Sequence, residues 1–191
     1  IIAGGIDVSF ASAVGLCAIV FGIANFFGMP LPISILASLL TGAMAGLFNA
    51  TMIHVSRIQP LVVTLGSLYL FGGAATVLSG VVGAGGYEGI GNFPDAFTSF
   101  AYVELVGLPA PFLVLLVEAL ILFIVLHYSR FGRSVFMCGL SEHAARYSGL
   151  RIKTIQTITY VMTGVFAAVA GLVLSSYFGS ARVDLGTATL L

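Results

Sequence analysis

The sequence predicts an all-α, polytopic membrane protein, a helical bundle with about five spanning helices. Of the 191 residues, 59% are hydrophobic and only 7% are charged, and the mean hydropathy is +1.14. A typical soluble domain has about 25% charged residues, so this chain has too few to cover a surface exposed to water. Apolar runs such as PFLVLLVEALILFIVL do not alternate with polar residues, which disfavours a membrane barrel and favours helices.

Five stretches are long and apolar enough to cross a bilayer core, which takes about 20 helical residues. They cover roughly residues 8–27 (segment A), 33–55 (segment B), 60–82 (segment C), 109–128 (segment D) and 154–177 (segment E). Pro60 and Pro109 stand near the starts of segments C and D, where a helix loses nothing by a missing N–H. Because both ends of the chain lie in apolar sequence, we expect residues 1–191 to form a single transmembrane domain, with further helices beyond each end.

Segments B and E carry small residues at every fourth position, which gives each helix a flat face. A neighbouring backbone can approach such a face closely. We expect both rows to pack inside the bundle: Ser38, Gly42, Gly46 and Ala50 in segment B, and Ala167, Gly171 and Ser175 in segment E.

Charge is distributed very unevenly among the connections. Five of the seven Lys and Arg residues lie in residues 129–153, together with a single acid. The 83–108 connection has three acids and no Lys or Arg. Positively charged connections stay in the cytoplasm, so residues 129–153 are predicted to lie inside and residues 83–108 outside. By alternation, the turn between segments B and C lies inside and the turn between A and B lies outside.

Within the 129–153 connection, the sequence GLSEHAARYSGL predicts a short amphipathic helix. Ser141 is a good N-cap, Glu142 suits the positive N-terminus of a helix, and Gly149 can end the helix in the left-handed conformation. Helical spacing puts three residues on one face, namely Leu140, Ala144 and Tyr147. Two interpretations stay open: a surface on which a soluble partner docks, or a solvated loop that only follows the charge rule.

Three acidic residues lie in or next to apolar segments. Asp7, in GGIDVSFAS with Ser9, is expected to cap or break a helix at the inner end of segment A rather than to contact a solute. Asp184, in SARVDLGTAT, repeats this pattern beyond the outer end of segment E, an arrangement found in transporters built from inverted repeats. Glu118 lies near the middle of segment D, where it either lines a solute path or forms a buried hydrogen bond.

Motifs for catalysis or cofactor binding are missing from the sequence. There is no GxxxxGK[ST] phosphate loop and no HExxH, and the three His residues are far apart. The formal net charge of zero provides no general attraction to nucleic acid. Cys17 and Cys138 form no disulfide framework and are expected to be buried or reduced thiols. We therefore expect no enzyme activity in this chain, no cofactor, no metal and no nucleic-acid partner.

Several stretches of the chain resemble a known family. GGIDVSFAS, IQPLVVTLGSLYLFGG and GRSVFMCGLSEHAARYSGLRI are similar to the permease subunits of bacterial ribose-type ABC importers. GYEGIGNFPDAFTSF, VGLPAPF and SYFGSARVDLG are most similar to the D-type branch of that family, which belongs to autoinducer-2 (Lsr) importers. The resemblance covers essentially the whole chain.

The resemblance implies a multi-pass permease domain in the bacterial inner membrane, in contact with lipids. Its expected partners are a second, similar permease, two ATP-binding subunits that hydrolyse ATP below the membrane, and a periplasmic binding protein that delivers the ligand. It further implies that residues 129–153 form the cytoplasmic loop that couples to the ATPase. The residues expected to carry that coupling are Glu142, His143, Arg146 and Gly149.

Other functions compete with an autoinducer-2 importer. The permease could carry another small, sugar-like solute. An ion-coupled secondary carrier needs intramembrane ionisable residues that bind the driving ion, and here only Glu118 is clearly central. A membrane scaffold that transports nothing would need neither a helix break nor a coupling helix.

Overall fold

The computed structural model describes residues 5–84, 88–105 and 107–186, which form a bundle of helices. The helices are α1 Phe10–Phe26, α2 Leu31–Ser56, α3 Pro60–Val81, α4 Asp95–Thr98, α5 Ala110–Tyr128, α6 Arg130–Leu140, α7 Glu142–Tyr147 and α8 Ile152–Phe178. A 3₁₀ turn at Ser99–Tyr102 and an antiparallel pair of short strands, β1 Glu104–Leu105 and β2 Leu108–Pro109, complete the connection before α5. The all-α class is confirmed, and segments A to E correspond to α1, α2, α3, α5 and α8.

Four of the described helices, α2, α3, α5 and α8, are long and apolar enough to span a membrane. The fifth predicted span, α1, is an apolar helix of only 17 residues, or about 25 Å. It is shorter than predicted because the chain before Phe10 is not helical. Most of its residues are buried, so α1 forms the centre of the bundle and packs against α2, α3 and α8.

Small residues allow the central helices to approach closely, as their spacing predicts. A Cβ added at Gly42 would overlap the Gly164 carbonyl oxygen of α8, and one added at Gly46 would overlap the Tyr160 carbonyl oxygen. Lipid drives no hydrophobic association between helices, so such close contact is a main source of their attraction. The prediction that these rows pack inside the bundle is confirmed.

Helix α5 stands apart from this bundle. Ala110, at its first turn, is its one buried residue. An apolar groove of about 450 Å³ lies between α5 and α8, with Val117 and Ile121 on one side and Val165 and Phe166 on the other. Almost the whole length of α5 is therefore exposed within the described chain.

The 129–153 connection is more helical than the sequence analysis predicted. It contains α7, as expected, and also α6, whose Ser129 N-cap accepts a hydrogen bond from the Gly132 N–H at 3.0 Å. Gly132, Val135 and Cys138 are buried on one face of α6. These residues are three positions apart, which is typical of one face of a helix. The sequence prediction for this stretch considered only its positive charge and did not include the helix.

Asp184 was predicted to lie beyond the outer end of segment E. The chain after α8 turns back instead of continuing outward. Gly179 adopts a left-handed conformation with φ of 63° and ends α8. Ala181 then forms a two-way backbone pairing with Ile90 of the 83–108 connection, with N–H to O distances of 2.9 and 2.8 Å. This pairing turns the chain back towards the bundle.

From Ala181 the chain runs in the opposite direction to α1, along its surface. A Cβ added at Gly15 would overlap the Val183 carbonyl oxygen, and one added at Gly186 would overlap the Ala11 carbonyl oxygen. Gly15 lies eleven residues before the end of α1, so Val183 is about 16 Å below that end. Asp184 was expected beyond the outer end of segment E, but its segment returns along α1, where Gly15 leaves room for the Val183 backbone.

Candidate helix-break site and α7 surface

A small polar network surrounds the start of α1. Asp7 Oδ1 accepts hydrogen bonds from the Ser9 backbone N–H at 2.9 Å and from Ser9 Oγ at 2.6 Å. The bond to the backbone N–H two residues later is an Asx turn just before α1, whose N-cap residue is Ser9. Negative charge is favourable at this position because the N-terminus of α1 carries a partial positive charge.

Side chains from α2 and α3 hold this non-helical segment in the bundle. Asn49 Nδ2 donates to Ser9 Oγ at 2.7 Å, and both residues are buried. Thr64 Oγ1 donates to the Ile6 carbonyl at 3.2 Å and lies 3.3 Å from the Val8 N–H, which donates to it. These bonds satisfy backbone groups that have no partner in a helix, which non-helical backbone within a membrane requires.

The network lies below the membrane surface in the predicted orientation. Asn49 is seven residues before the end of α2 at Ser56, and Tyr160 is eight residues after the start of α8 at Ile152. At 1.5 Å per residue, both lie about 10–12 Å from the cytoplasmic ends of their helices. The break at Asp7 therefore lies about two turns inside the ends of α2 and α8 that the predicted orientation places at the cytoplasmic side.

Two small cavities adjoin the network. One, of about 50 Å³, lies between the Asp7 segment and α8 and is lined by Tyr160, Thr159 and Gln156 among others. The other, of about 10 Å³, is lined by Asp7, Asn49 and Thr163 among others. Asp7 and Thr163 line both cavities, so the two are neighbours.

Glu118 is the polar residue of the groove between α5 and α8. Its Oε1 atom is buried and has no hydrogen-bond partner among the described residues. The ten other residues that line the groove are apolar. Glu118 was expected either to line a solute path or to form a buried hydrogen bond. The described residues provide no such bond for Oε1, and the carboxyl group faces an apolar groove.

Asp184 forms an ion pair within the returning segment. Arg182 Nη2 lies 2.6 Å from Asp184 Oδ2, and Arg182 Nε lies 3.0 Å from Asp184 Oδ1, a two-pronged arrangement. The Asp184 side chain is partly buried, with 23% of its surface exposed. The segment that carries Asp184 packs against α1, since a Cβ added at Gly186 would overlap the Ala11 carbonyl oxygen.

The four predicted coupling residues lie together around α7. Ser141 Oγ accepts a hydrogen bond from the Ala144 N–H at 3.2 Å as the N-cap, and Arg146 lies 3.3 Å from Glu142 as an i,i+4 ion pair. Gly149 ends the helix with φ of 77°. We define the α7 surface by five exposed residues on and next to α7, namely Leu140, Glu142, His143, Arg146 and Tyr147.

A separate hydrophobic cluster anchors α7 beneath this surface. Ala145, on its inner face, is fully buried with Val135 and Cys138 of α6 and with Ile152 and Ile155 of α8. Tyr147 of α7 is 93% exposed, and Leu140, the last residue of α6, is 87% exposed. The prediction that Leu140 and Tyr147 share one helix face is wrong, because the extended Ser141 separates α6 from α7. Helix α7 is thus fixed on the bundle beside two exposed large apolar side chains, one on each helix.

Three polar residues of the break site escaped the sequence analysis. Asn49 is the one amide in segment B, and a polar side chain within an apolar span is costly and is itself a signal. Thr64 and Tyr160 are each one of several polar residues in segments C and E, so composition does not single them out. Sequence spacing does not reveal that the three face the Asp7 segment. No group of three or more His, Cys, Asp or Glu residues in the described ranges could hold a metal ion.

Comparison with known proteins supplies a family. The family model described as "Branched-chain amino acid transport system / permease component" matches residues 1–191. The chain is 49% identical, over all of its 191 residues, to proteins named "Autoinducer 2 import system permease protein LsrD" from Enterobacter sp. (strain 638), Escherichia coli (strain K12) and Shigella flexneri. It spans 58% of the length of each of these relatives. No solved structure matches the chain.

Proposed function

The chain belongs to the family of permease components of branched-chain amino acid transport systems, and we propose that it forms part of the permease subunit of an importer for autoinducer 2. The support is the 49% identity to permeases that carry this name, which extends over the entire chain. Four helices capable of spanning a membrane, three of them packed around α1, fit a multi-pass subunit of the bacterial inner membrane.

The proposed energy source is ATP hydrolysis in a separate partner subunit that docks on the α7 surface. In the predicted orientation this surface faces the cytoplasm, where exposed Leu140 and Tyr147 have no lipid to cover them. Fully burying a large apolar side chain is worth about 1.5–3 kcal/mol, so these two residues would be strong anchors for a soluble partner. This exposed apolar pair is the observation that carries the docking proposal.

Coupling would then act through the rigid attachment of α7. The hydrophobic cluster around Ala145 joins α7 to the first turn of α8, and α8 packs along α2 and α1. Movement of a docked ATPase would therefore shift α8 relative to the bundle. Such rocking is a recognised way to alternate access between two sides of a membrane. The remaining proposed partners are a second permease and a periplasmic binding protein.

Uptake of autoinducer 2 by cells that carry the full-length protein tests this function. We compare the parent with a Glu142→Ala, Arg146→Ala double variant, and measure membrane level, uptake and co-purification of the ATPase. Arg133→Ala is the control, since it removes a positive charge from the same connection but lies on α6. We expect the double variant to insert normally and to lose uptake and ATPase association, whereas the control retains both.

Two outcomes would contradict the proposal. If the double variant keeps both uptake and ATPase association, residues 129–153 are only an orientation signal. If the parent imports ribose but not autoinducer 2, the permease serves another sugar-like solute.

An ion-coupled carrier is the second candidate, because the Glu118 carboxyl has an unpartnered oxygen in the groove. Two separate treatments distinguish the two candidates. One depletes cellular ATP, and the other collapses the ion gradients with an ionophore. We expect uptake to follow ATP. Uptake that follows the ion gradient and is lost in Glu118→Gln would favour the carrier.

A further inference from the structure

Two buried polar atoms beside the Asp7 segment have no hydrogen-bond partner among the described residues. They are Oδ1 of Asn49 and the hydroxyl of Tyr160. As whole residues, Asn49 is 1% exposed and Tyr160 is 8% exposed. Unpaired polar groups at such depth are rare, because each loses its bonds to water on burial. Tyr160 lines the larger of the two neighbouring cavities and Asn49 lines the smaller, while Asp7 and Thr163 line both.

The orientation of the Asn49 amide follows from the network itself. Ser9 Oγ has a single proton and donates it to Asp7 Oδ1 at 2.6 Å. Ser9 Oγ must therefore accept from Asn49, so the NH₂ group of Asn49 faces Ser9 at 2.7 Å. The Asn49 oxygen is consequently directed away from this bond and needs a donor from elsewhere.

The unsatisfied groups specify the kind of ligand. Asn49 Oδ1 can only accept a hydrogen bond, whereas the Tyr160 hydroxyl can donate one. Thr159 and Thr163 already donate their hydroxyl protons to carbonyls of α8, which leaves only lone pairs for the cavities. Water both donates and accepts, so it complements this mixture.

A metal cation is a poorer match for these groups. A cation would interact only with acceptors and would leave the Tyr160 proton without a partner. Asp7, the acid of the site, already accepts two hydrogen bonds and lies at the positive N-terminus of α1. Its charge therefore does not demand a second positive partner.

We propose that the two cavities form one binding site for internal water, which bridges Asn49, Asp7 and Tyr160. The larger cavity, of about 50 Å³, has room for several molecules, and the smaller, of about 10 Å³, for one, since a water needs roughly 10–15 Å³. The water completes the hydrogen bonding of a non-helical segment within the membrane. This site does not depend on which solute the protein transports.

Radiolytic hydroxyl-radical footprinting of the full-length protein tests the site directly, because short X-ray pulses generate radicals from bound water. Phe21 is an internal reference, since it is a fully buried aromatic residue packed among apolar side chains. We expect Tyr160 to be oxidised several-fold faster than Phe21. Equal, slow oxidation of the two residues would overturn the proposal.

The variant Tyr160→Phe provides a second test, in which the stability of the folded protein is measured. A site with water and a site without water predict different changes in that stability. If water bonds the hydroxyl, its removal lowers the ratio of folded to unfolded protein by about 2- to 10-fold, the value of one hydrogen bond. If the hydroxyl is unbonded, its removal stabilises the protein or has no effect, which contradicts the proposal. Tyr69→Phe, at an exposed position of α3, is the matched control and should be neutral.

A third measurement excludes a metal ion as the ligand. The midpoint of thermal unfolding is compared in sodium, potassium and choline chloride at one ionic strength. Equal midpoints are expected for a water site. Stabilisation by sodium or potassium that disappears in Asp7→Asn would identify a cation site and overturn the proposal.

Discussion

Replacement of Gly46 by Ala should destabilise the contact between α2 and α8. The added Cβ would overlap the Tyr160 carbonyl oxygen and would lie 2.7 Å from its carbon and 2.8 Å from the Val161 Cα. All three atoms belong to the backbone, so no side chain can rotate away and the two helices must separate. Overpacking of a close contact costs about 1–3 kcal/mol, and we expect about 2 kcal/mol here. Ala favours the helix over Gly by at most about 1 kcal/mol, which offsets only part of the cost of the clash.

Thermal unfolding of the full-length protein in detergent measures this loss. Gly66→Ala in α3 is the control, because no described atom lies within 4 Å of its added Cβ. We expect Gly46→Ala to unfold several degrees below the parent and Gly66→Ala to unfold at or above it. If Gly46→Ala unfolds no earlier than Gly66→Ala, the close approach of α2 and α8 is refuted.

Three further predictions concern other parts of the molecule. Ser141→Ala removes the N-cap of α7 and should cost about 1 kcal/mol locally; faster hydrogen exchange of residues 142–147 would show it, and unchanged exchange would contradict the cap. Phe21→Ala removes the ring on which two aromatic residues of the outer connection pack, at 4.5 and 5.2 Å, and should lower the unfolding free energy by about 3–5 kcal/mol, measured in denaturant. Burial, with a smaller contribution from the charge of Glu142, raises the pKa of the Cys138 thiol. Alkylation of Cys138, followed by mass spectrometry, should therefore become faster as pH rises. At a given pH it should be faster in Glu142→Gln than in the parent.

The positions of the spanning helices were predictable because membrane insertion depends on local composition. Apolar length alone located α2, α3, α5 and α8 to within about two residues. The cap of α7 was equally local, since Ser141 and Gly149 act on backbone groups within a single turn. The helix α6 was missed because its buried face consists of only three residues, of which one is a glycine.

The candidate sites were only partly predictable. Asp7 and Ser9 stood out as polar residues in apolar sequence, and the structure joins them in one hydrogen-bonded unit. Asn49, which completes that unit, is 40 residues away from Ser9, and no local pattern indicates which helix face it shares. Asp184 was expected beyond the outer end of segment E from its position in sequence, whereas in the structure its segment returns along α1.

By itself, the sequence determined the membrane environment, the number and length of the apolar helices, the predicted orientation and the capped α7. These properties follow from composition and from interactions within a few residues. The tertiary structure decided which small residues meet across α2 and α8, that Asn49 and Tyr160 face the break at Asp7, and that the segment after α8 folds back into the bundle. Those outcomes depend on how closely separate helices approach one another, and that distance is set by shape and backbone hydrogen bonding between parts of the chain that are remote in sequence.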